Sequence, residues 1–305
     1  MGVTNHDRQS NPGGTPAITA TINSVKKLGL VLNQSRRSLP LTVIWRESPT
    51  PSGVVIFSHG SNIPGDCYHY LAREWTRHGV ACVFPEHHGL SENPVEFKNW
   101  ALRARDLQLI LGKLPLIRKK CRLKNIGLRN VGIAGHSLGA YGALQVAGMR
   151  VWRKSKIAAP LARRRPLPCL AMSPTGPGSF GVRVSSFTPL SGPLFVCTGT
   201  RDRGIIQDKS SSWRLSAFHK APPGDKFSLV FRGADHFSFI DAEITGVKGT
   251  RRRARPPQRG LLRDVARSTS LFWRAYLMND PESRTHLQKG SLPRSIRSKT
   301  VLRCR

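Results

Sequence analysis

Val131 to Leu144 read VGIAGHSLGAYGAL. Val131–Ala134 is an apolar run with no polar alternation, as expected of a strand covered on both faces. Ser137–Gly148 is built of small and apolar residues and predicts a helix able to lie close on a sheet. Between them, Ser137 stands in Gly135-His136-Ser137-Leu138-Gly139. A nucleophilic serine must project from a strand-to-helix turn too tight for side chains at the flanking positions, because Cβ atoms there would strike the neighbouring backbone. The stretch therefore predicts an α/β protein and makes Ser137 a candidate nucleophile.

The same alternation extends in both directions. Apolar runs at Leu41–Trp45, Val54–Gly60, Val80–Glu86, Cys169–Pro174, Leu194–Thr200 and Ser228–His236 read as further strands. Helical periodicity marks Cys67–Gly79, which ends on a capping glycine, then Phe97–Leu114 and Leu262–Leu277. Strands alternating with helices imply a mostly parallel, doubly wound sheet with right-handed crossovers and helices on both faces. The expected organisation is one α/β domain over residues 21–280. A polar arm precedes it at residues 1–20, expected to be disordered, and an unpacked basic tail follows at 281–305. Basic, proline-containing stretches at 149–168 and 246–260 read as surface insertions, the first a candidate lid.

Charge is the outlying property of this chain of 305 residues. Its 49 Lys+Arg against 17 Asp+Glu give a formal net charge of +32. Such a field attracts polyanions, so nonspecific polyanion contact through the insertions and the tail is an expectation. The basic runs lack the aromatic interleaving or fingerprint of a specific nucleic-acid reader. No apolar run approaches the ~20 residues that span a bilayer, and the start of the chain lacks a basic segment followed by an apolar block. A cytoplasmic protein is expected. The six cysteines show no ligand or framework spacing, and Cys82 and Cys197, inside strand runs, read as structural thiols.

In a doubly wound sheet, ligands gather at the carboxyl ends of the strands. Ser137, Asp202, His236 and the segment His59–Asn62 all fall at such ends. Their chain order, Ser then Asp then His, suits a nucleophile elbow on this architecture. His236 would take the proton from Ser137 and Asp202 would orient the imidazole. Asp208 and Asp235 are competing carboxylates; Asp235 adjoins the histidine with its side chain expected to point away. The amides of Leu138, at a helix start, and Ser61, after the His-Gly turn, are the expected oxyanion donors. His59, His87 and His88 lack a carboxylate or cysteine at ligand spacing, so no metal is expected.

These stretches together resemble the α/β-hydrolase superfamily, within it the branch of dienelactone-hydrolase-like esterases, plant chlorophyllases and platelet-activating-factor-acetylhydrolase-like enzymes. VVIFSHGSN, GHSLGAYGAL, AMSPTGPG, TGTRD, GADHFSFID and LFWRAYL carry the likeness, in family order from about Leu41 to Met278. The resemblance implies Ser137, Asp202 and His236 as the triad, oxyanion donors at Ser61 and Leu138, no cofactor, and carboxylic esters of varied size as substrates. Two departures stand out. Ala140 replaces a usual glycine, and Pro85-Glu86-His87-His88-Gly89 replaces a usual Asp-His pairing. The expected activity is ester hydrolysis through an acyl-enzyme. Acyl transfer to another alcohol, or a silent hydrolase fold that binds nucleic acid or anionic lipid through its basic surface, are the alternatives.

Overall fold

A computed structural model of the protein describes residues 24–32, 37–87, 100–127, 129–153, 156–157, 166–203, 209–241 and 259–305. In chain order the strands are β1 (Ser24–Leu32), β2 (Arg37–Trp45), β3 (Gly53–Ser58), β4 (Val80–Pro85), β5 (Val131–His136), β6 (Trp152–Arg153), β7 (Lys156–Ile157), β8 (Cys169–Met172), β9 (Leu194–Gly199), β10 (Lys226–Phe231) and β11 (Thr300–Cys304). The α-helices are α1 (His69–Trp75), α2 (Trp100–Gly112), α3 (Leu114–Lys120), α4 (Leu138–Ala147), α5 (Ser216–Lys220), α6 (Arg259–Leu277) and α7 (Pro281–Gln288). Apart from the two-residue ribbon β6–β7, every strand joins one sheet in the order β1-β2-β4-β3-β5-β8-β9-β10-β11. Its centre, from β4 to β10, is parallel, whereas β1, β2 and β11 run antiparallel to their inner neighbours.

The inner strands lack polar alternation because both their faces are covered. Val54 and Ile56 of β3 enter a core with α2, α3, α4 and α5, through residues such as Leu107, Ile117, Leu144 and Phe218. Val55 and Phe57 point to the opposite core, built with α1, α6 and α7 around Trp75, Phe272, Trp273 and Leu287. Successive side chains of a strand face opposite ways, so one apolar run supplies both layers. Gly132 of β5 gives the Trp273 ring its seat: a Cβ there would lie 2.5 Å from the ring.

All the expected strands form, and the helices form with three changes of outline: the segment Cys67–Gly79 is α-helical over His69–Trp75 and continues as a 3-10 turn over Thr76–His78. Within the expected segment Phe97–Leu114, residues 97–99 lie outside the described part. From Trp100 the helix runs to Gly112, breaks at Lys113 (φ −98°, ψ 6°) and restarts as α3, with Pro115 in its first turn. A proline ring is tolerated in a first turn and not further along. α6 begins at Arg259, three residues before the expected start. The arm at residues 1–20, His88, Asp208, half of the stretch 149–168 and most of 246–260 fall outside the described residues.

The expectation of an unpacked tail at 281–305 is corrected. Residues 281–288 form α7, whose Leu287 is fully buried, and β11 pairs with β10 from Phe227↔Cys304 to Phe231↔Thr300. The buried Asp264 of α6 accepts hydrogen bonds from the amides of Arg297 (3.0 Å) and Ser298 (2.8 Å) and from Ser298 Oγ (2.8 Å). The tail is basic because its charges face solvent. Its strand β11 covers the edge of β10 by main-chain pairing.

Candidate active site

Ser137 joins β5 to α4 with φ +55° and ψ −117°, a conformation costly for any residue with a side chain. Its amide donates to Met172 O of β8 (2.9 Å), and its carbonyl accepts from Tyr141 N inside α4 (3.1 Å). The flanking glycines are sterically required. A Cβ on Gly135 would come within 2.3 Å of the Gly139 backbone, and one on Gly139 within 1.9 Å of Ser58 O. The helix and β3 therefore close on the turn as the sequence demands.

Asp202 follows β9 and His236 follows β10, so neighbouring parallel strands present them side by side. Gly199 permits the approach: a Cβ there would lie 2.1 Å from Ala234 O, which also accepts from the Arg201 amide at 2.9 Å. His236 Nδ1–H donates to Asp202 Oδ1 at 3.0 Å, which leaves the Nε2 lone pair as the ring's acceptor. Asp235 is turned away, as expected from its sequence position. Its carboxylate caps the turn His236–Phe239, accepting from Phe237 N (3.0 Å) and Ser238 Oγ (2.8 Å).

Burial by itself would push the Asp202 carboxyl up, but the hydrogen bond and charge of His236 and the Arg214 guanidinium together hold it well below the usual carboxylate range. Thr198 Oγ1 donates to its second oxygen at 2.7 Å. Arg214 donates from Nε to Asp202 Oδ1 (3.0 Å), from Nη1 to the carbonyls of Ser173 (3.0 Å) and Pro174 (3.3 Å), and from Nη2 to Arg203 O (2.9 Å). Burial draws the His236 pKa below the ordinary imidazole value, against the raising effect of Asp202, and Arg214 assists the lowering.

Ser137 is brought to the same rim through its neighbour His136. The His136 ring packs on the His236 ring with centroids 4.8 Å apart. Its Nε2–H donates to the main-chain carbonyl of His236 (3.1 Å), and its Nδ1 accepts from Tyr68 Oη (2.8 Å), which in turn accepts from the Gly60 amide (3.3 Å). This tautomer satisfies every partner. Burial, then the proximity of His236, keeps the His136 ring neutral. The elbow, the loop that carries His236 and the turn before Ser61 are thus tied by one chain of hydrogen bonds. Ser137 Oγ and His236 Nε2 are not hydrogen bonded to each other in this structure, a common state of sites without substrate.

The expected oxyanion donors lie where helix and loop geometry leave amides unpaired. Leu138 opens α4, so its amide has no acceptor within the helix. Ser61 is exposed and its amide donates to no acceptor among the described residues. His59 and His87 are buried beside β3, and the described residues contain no group of three or more His, Cys, Asp or Glu arranged to hold a metal ion. Arg214, Thr198, Tyr68 and His136 carry no sequence signal of their own; only His136 was visible at all, as the residue beside the candidate nucleophile.

A model of the alpha/beta hydrolase family matches residues 55–296, from β3 to beyond α7. The chain belongs to this family. Comparison with curated proteins finds none that matches the hydrolase. The match takes in the elbow, the loops that carry Asp202 and His236, and Arg214 of this hydrolase, as well as α7; β11 lies beyond it. No helix among its described residues is long and apolar enough to cross a membrane.

Proposed function

We propose that this hydrolase cleaves carboxylic esters through an acyl-enzyme formed on Ser137. The observation that carries the reading is the buried His236–Asp202 pair, 3.0 Å apart, at the same sheet rim as a serine held in a strained turn between two obligatory glycines. In the first half-reaction His236 Nε2 takes the hydroxyl proton as Ser137 Oγ attacks the ester carbonyl, then returns it to the departing alcohol. Asp202 fixes the Nδ1–H tautomer and stabilises the imidazolium. The amides of Ser61 and Leu138 receive the oxyanion, and water, activated by the same base, releases the acid. The sequence likeness to dienelactone-hydrolase-like esterases supports the ester class and a cofactor-independent reaction. A silent binding role leaves unexplained why a charged Asp202 is kept buried against a histidine that has a lone pair to spare.

The test is labelling with a fluorophosphonate probe together with turnover of nitrophenyl esters graded from acetyl to long-chain acyl groups. Wild type is expected to label and turn over, and Ser137→Ala to do neither. A wild-type protein that stays unlabelled and hydrolyses none of the series would refute the reading.

A further inference from the structure

Beneath the turn that carries Ser61 lies a second, wholly internal Ser-His-Asp array. Ser58 Oγ–H donates to His87 Nε2 at 2.9 Å, and His87 Nδ1–H donates to Asp106 Oδ2 at 2.8 Å. Ser58 is 0% exposed, and His87 and Asp106 are 2% exposed. No ester could reach this serine, so the array is no second active site. Its effect is on what comes next in the chain of contacts. With its ring fixed at both nitrogens, His87 aims its own main-chain N–H at His59 Nε2, 3.1 Å away. That leaves His59 as the Nδ1–H tautomer, and this hydrogen is donated to Gly60 O at 2.7 Å. Arg103 of α2, buried one turn before Asp106, adds Nη2 to Gly60 O (3.4 Å) and Nη1 to His59 O (3.2 Å).

The Gly60 carbonyl is thereby held inward by two donors. The Gly60–Ser61 peptide is trans, so its N–H points opposite to its C=O. Clamping the oxygen into the core turns the Ser61 amide the other way, on a turn whose Ser58 and His59 carbonyls abut Gly139 of the elbow. We propose that His59, supported by Arg103 and the Ser58–His87–Asp106 array, is the positioning residue of the oxyanion hole: it aims the Ser61 amide by holding Gly60 O. This rests on the esterase reading above. Preorganised donors act only on charge that develops in the transition state, so a residue that aims one affects kcat and leaves KM in place.

The experiment uses two substitutions of equal disruption and opposite outcome. In His59→Asn the side-chain amide nitrogen occupies the place of Nδ1 and still donates to Gly60 O. In His59→Gln it lies at the place of Nε2 and does not. Against a nitrophenyl ester that wild type turns over, His59→Gln is expected to lose kcat by about 100-fold with KM within about twofold, and to bind a trifluoromethyl ketone analogue weaker by the same factor. His59→Asn is expected to stay within about fivefold of wild type in both. Arg103→Met, scored the same way, is expected to lose about tenfold in kcat and keeps the idea testable if a histidine variant does not fold. Equal losses in the two His59 variants, a loss confined to KM, analogue binding that does not track kcat, or an Arg103→Met protein with wild-type kcat would overturn the proposal. Failure of the esterase reading is separable, because it shows in wild type before any variant is compared.

Discussion

Arg214 gives Nε to Asp202 and its other two nitrogens to three main-chain carbonyls, so it both charges and braces the loop that holds this carboxylate. His236 must be neutral to act as a base, and its pKa is lowered from the ordinary 6.5; kcat/KM of the wild type is therefore expected to hold its plateau to a pH below that value and to fall only on further acidification. Replacing Arg214 by Met removes a cation that lowers the imidazole pKa, so the acid limb is expected to move to higher pH. Folding is expected to lose about 3 kcal/mol, because a buried carboxylate loses a permanently charged partner. A pH–rate profile with an unmoved limb would count against this electrostatic account. At the elbow, Gly139→Ala forces a methyl group to within 1.9 Å of Ser58 O, a conflict with backbone that no rotamer relieves. Urea unfolding is expected to show a loss above about 3 kcal/mol, with labelling by the probe abolished. Ser137 and the two glycines were legible because a tight turn restricts residue type; Arg214 was not, since an arginine that meets its partners only through folded loops has no local pattern.

Strands read most clearly where burial on both faces makes them apolar throughout, as in β3, β4, β5 and β9, each buried along its whole length. The strands of the main sheet that were missed are those at its edges. In β1 (SVKKLGLVL) two lysines and a glycine interrupt the run, and in β11 (TVLRC) only five residues carry the pattern. Charge density in the C-terminal region masked a segment whose folding depends on main-chain pairing and on one buried carboxylate. Removing residues 291–305 takes β11 from β10 and strips Asp264 of its three donors from Arg297 and Ser298. The truncated protein is expected to be less stable by at least about 3 kcal/mol and to aggregate on heating through its exposed β10 edge. Thermal melts with light scattering decide this. An unchanged melting point would restore the view of the tail as an appendage.

Across the whole molecule, His59, His136 and His236 are buried and their pKa values are lowered, each with burial as the main cause. In the unfolded chain they take up protons near the ordinary value, so below about pH 6.5 the unfolded state binds more protons and stability falls with acidification. Each contributes up to about 1.4 kcal/mol per pH unit until its folded pKa is reached. Urea unfolding between about pH 7 and pH 5 is expected to show this combined slope, and a flat profile would mean that the rings are not held neutral. The net charge of +32 leaves most cations without an acidic partner, since 49 bases face 17 acids. Raising NaCl from about 0.01 M to about 0.15 M shortens the screening length from ~30 to ~8 Å, and the melting temperature is expected to rise. A melting point that falls with salt would show that attractive ion pairs outweigh the self-repulsion.

The tether from Tyr68 through the ring of residue 136 to the main chain of His236 has a bearing on engineering. A mutant library that randomises position 136 in pursuit of altered selectivity would slacken three loops at once and return mostly inactive clones. Phe237 is 42% exposed; its amide and carbonyl serve the local turn through Asp235 and Ile240, and its ring only meets His236 edge-on at 5.5 Å, so it is the better place to diversify.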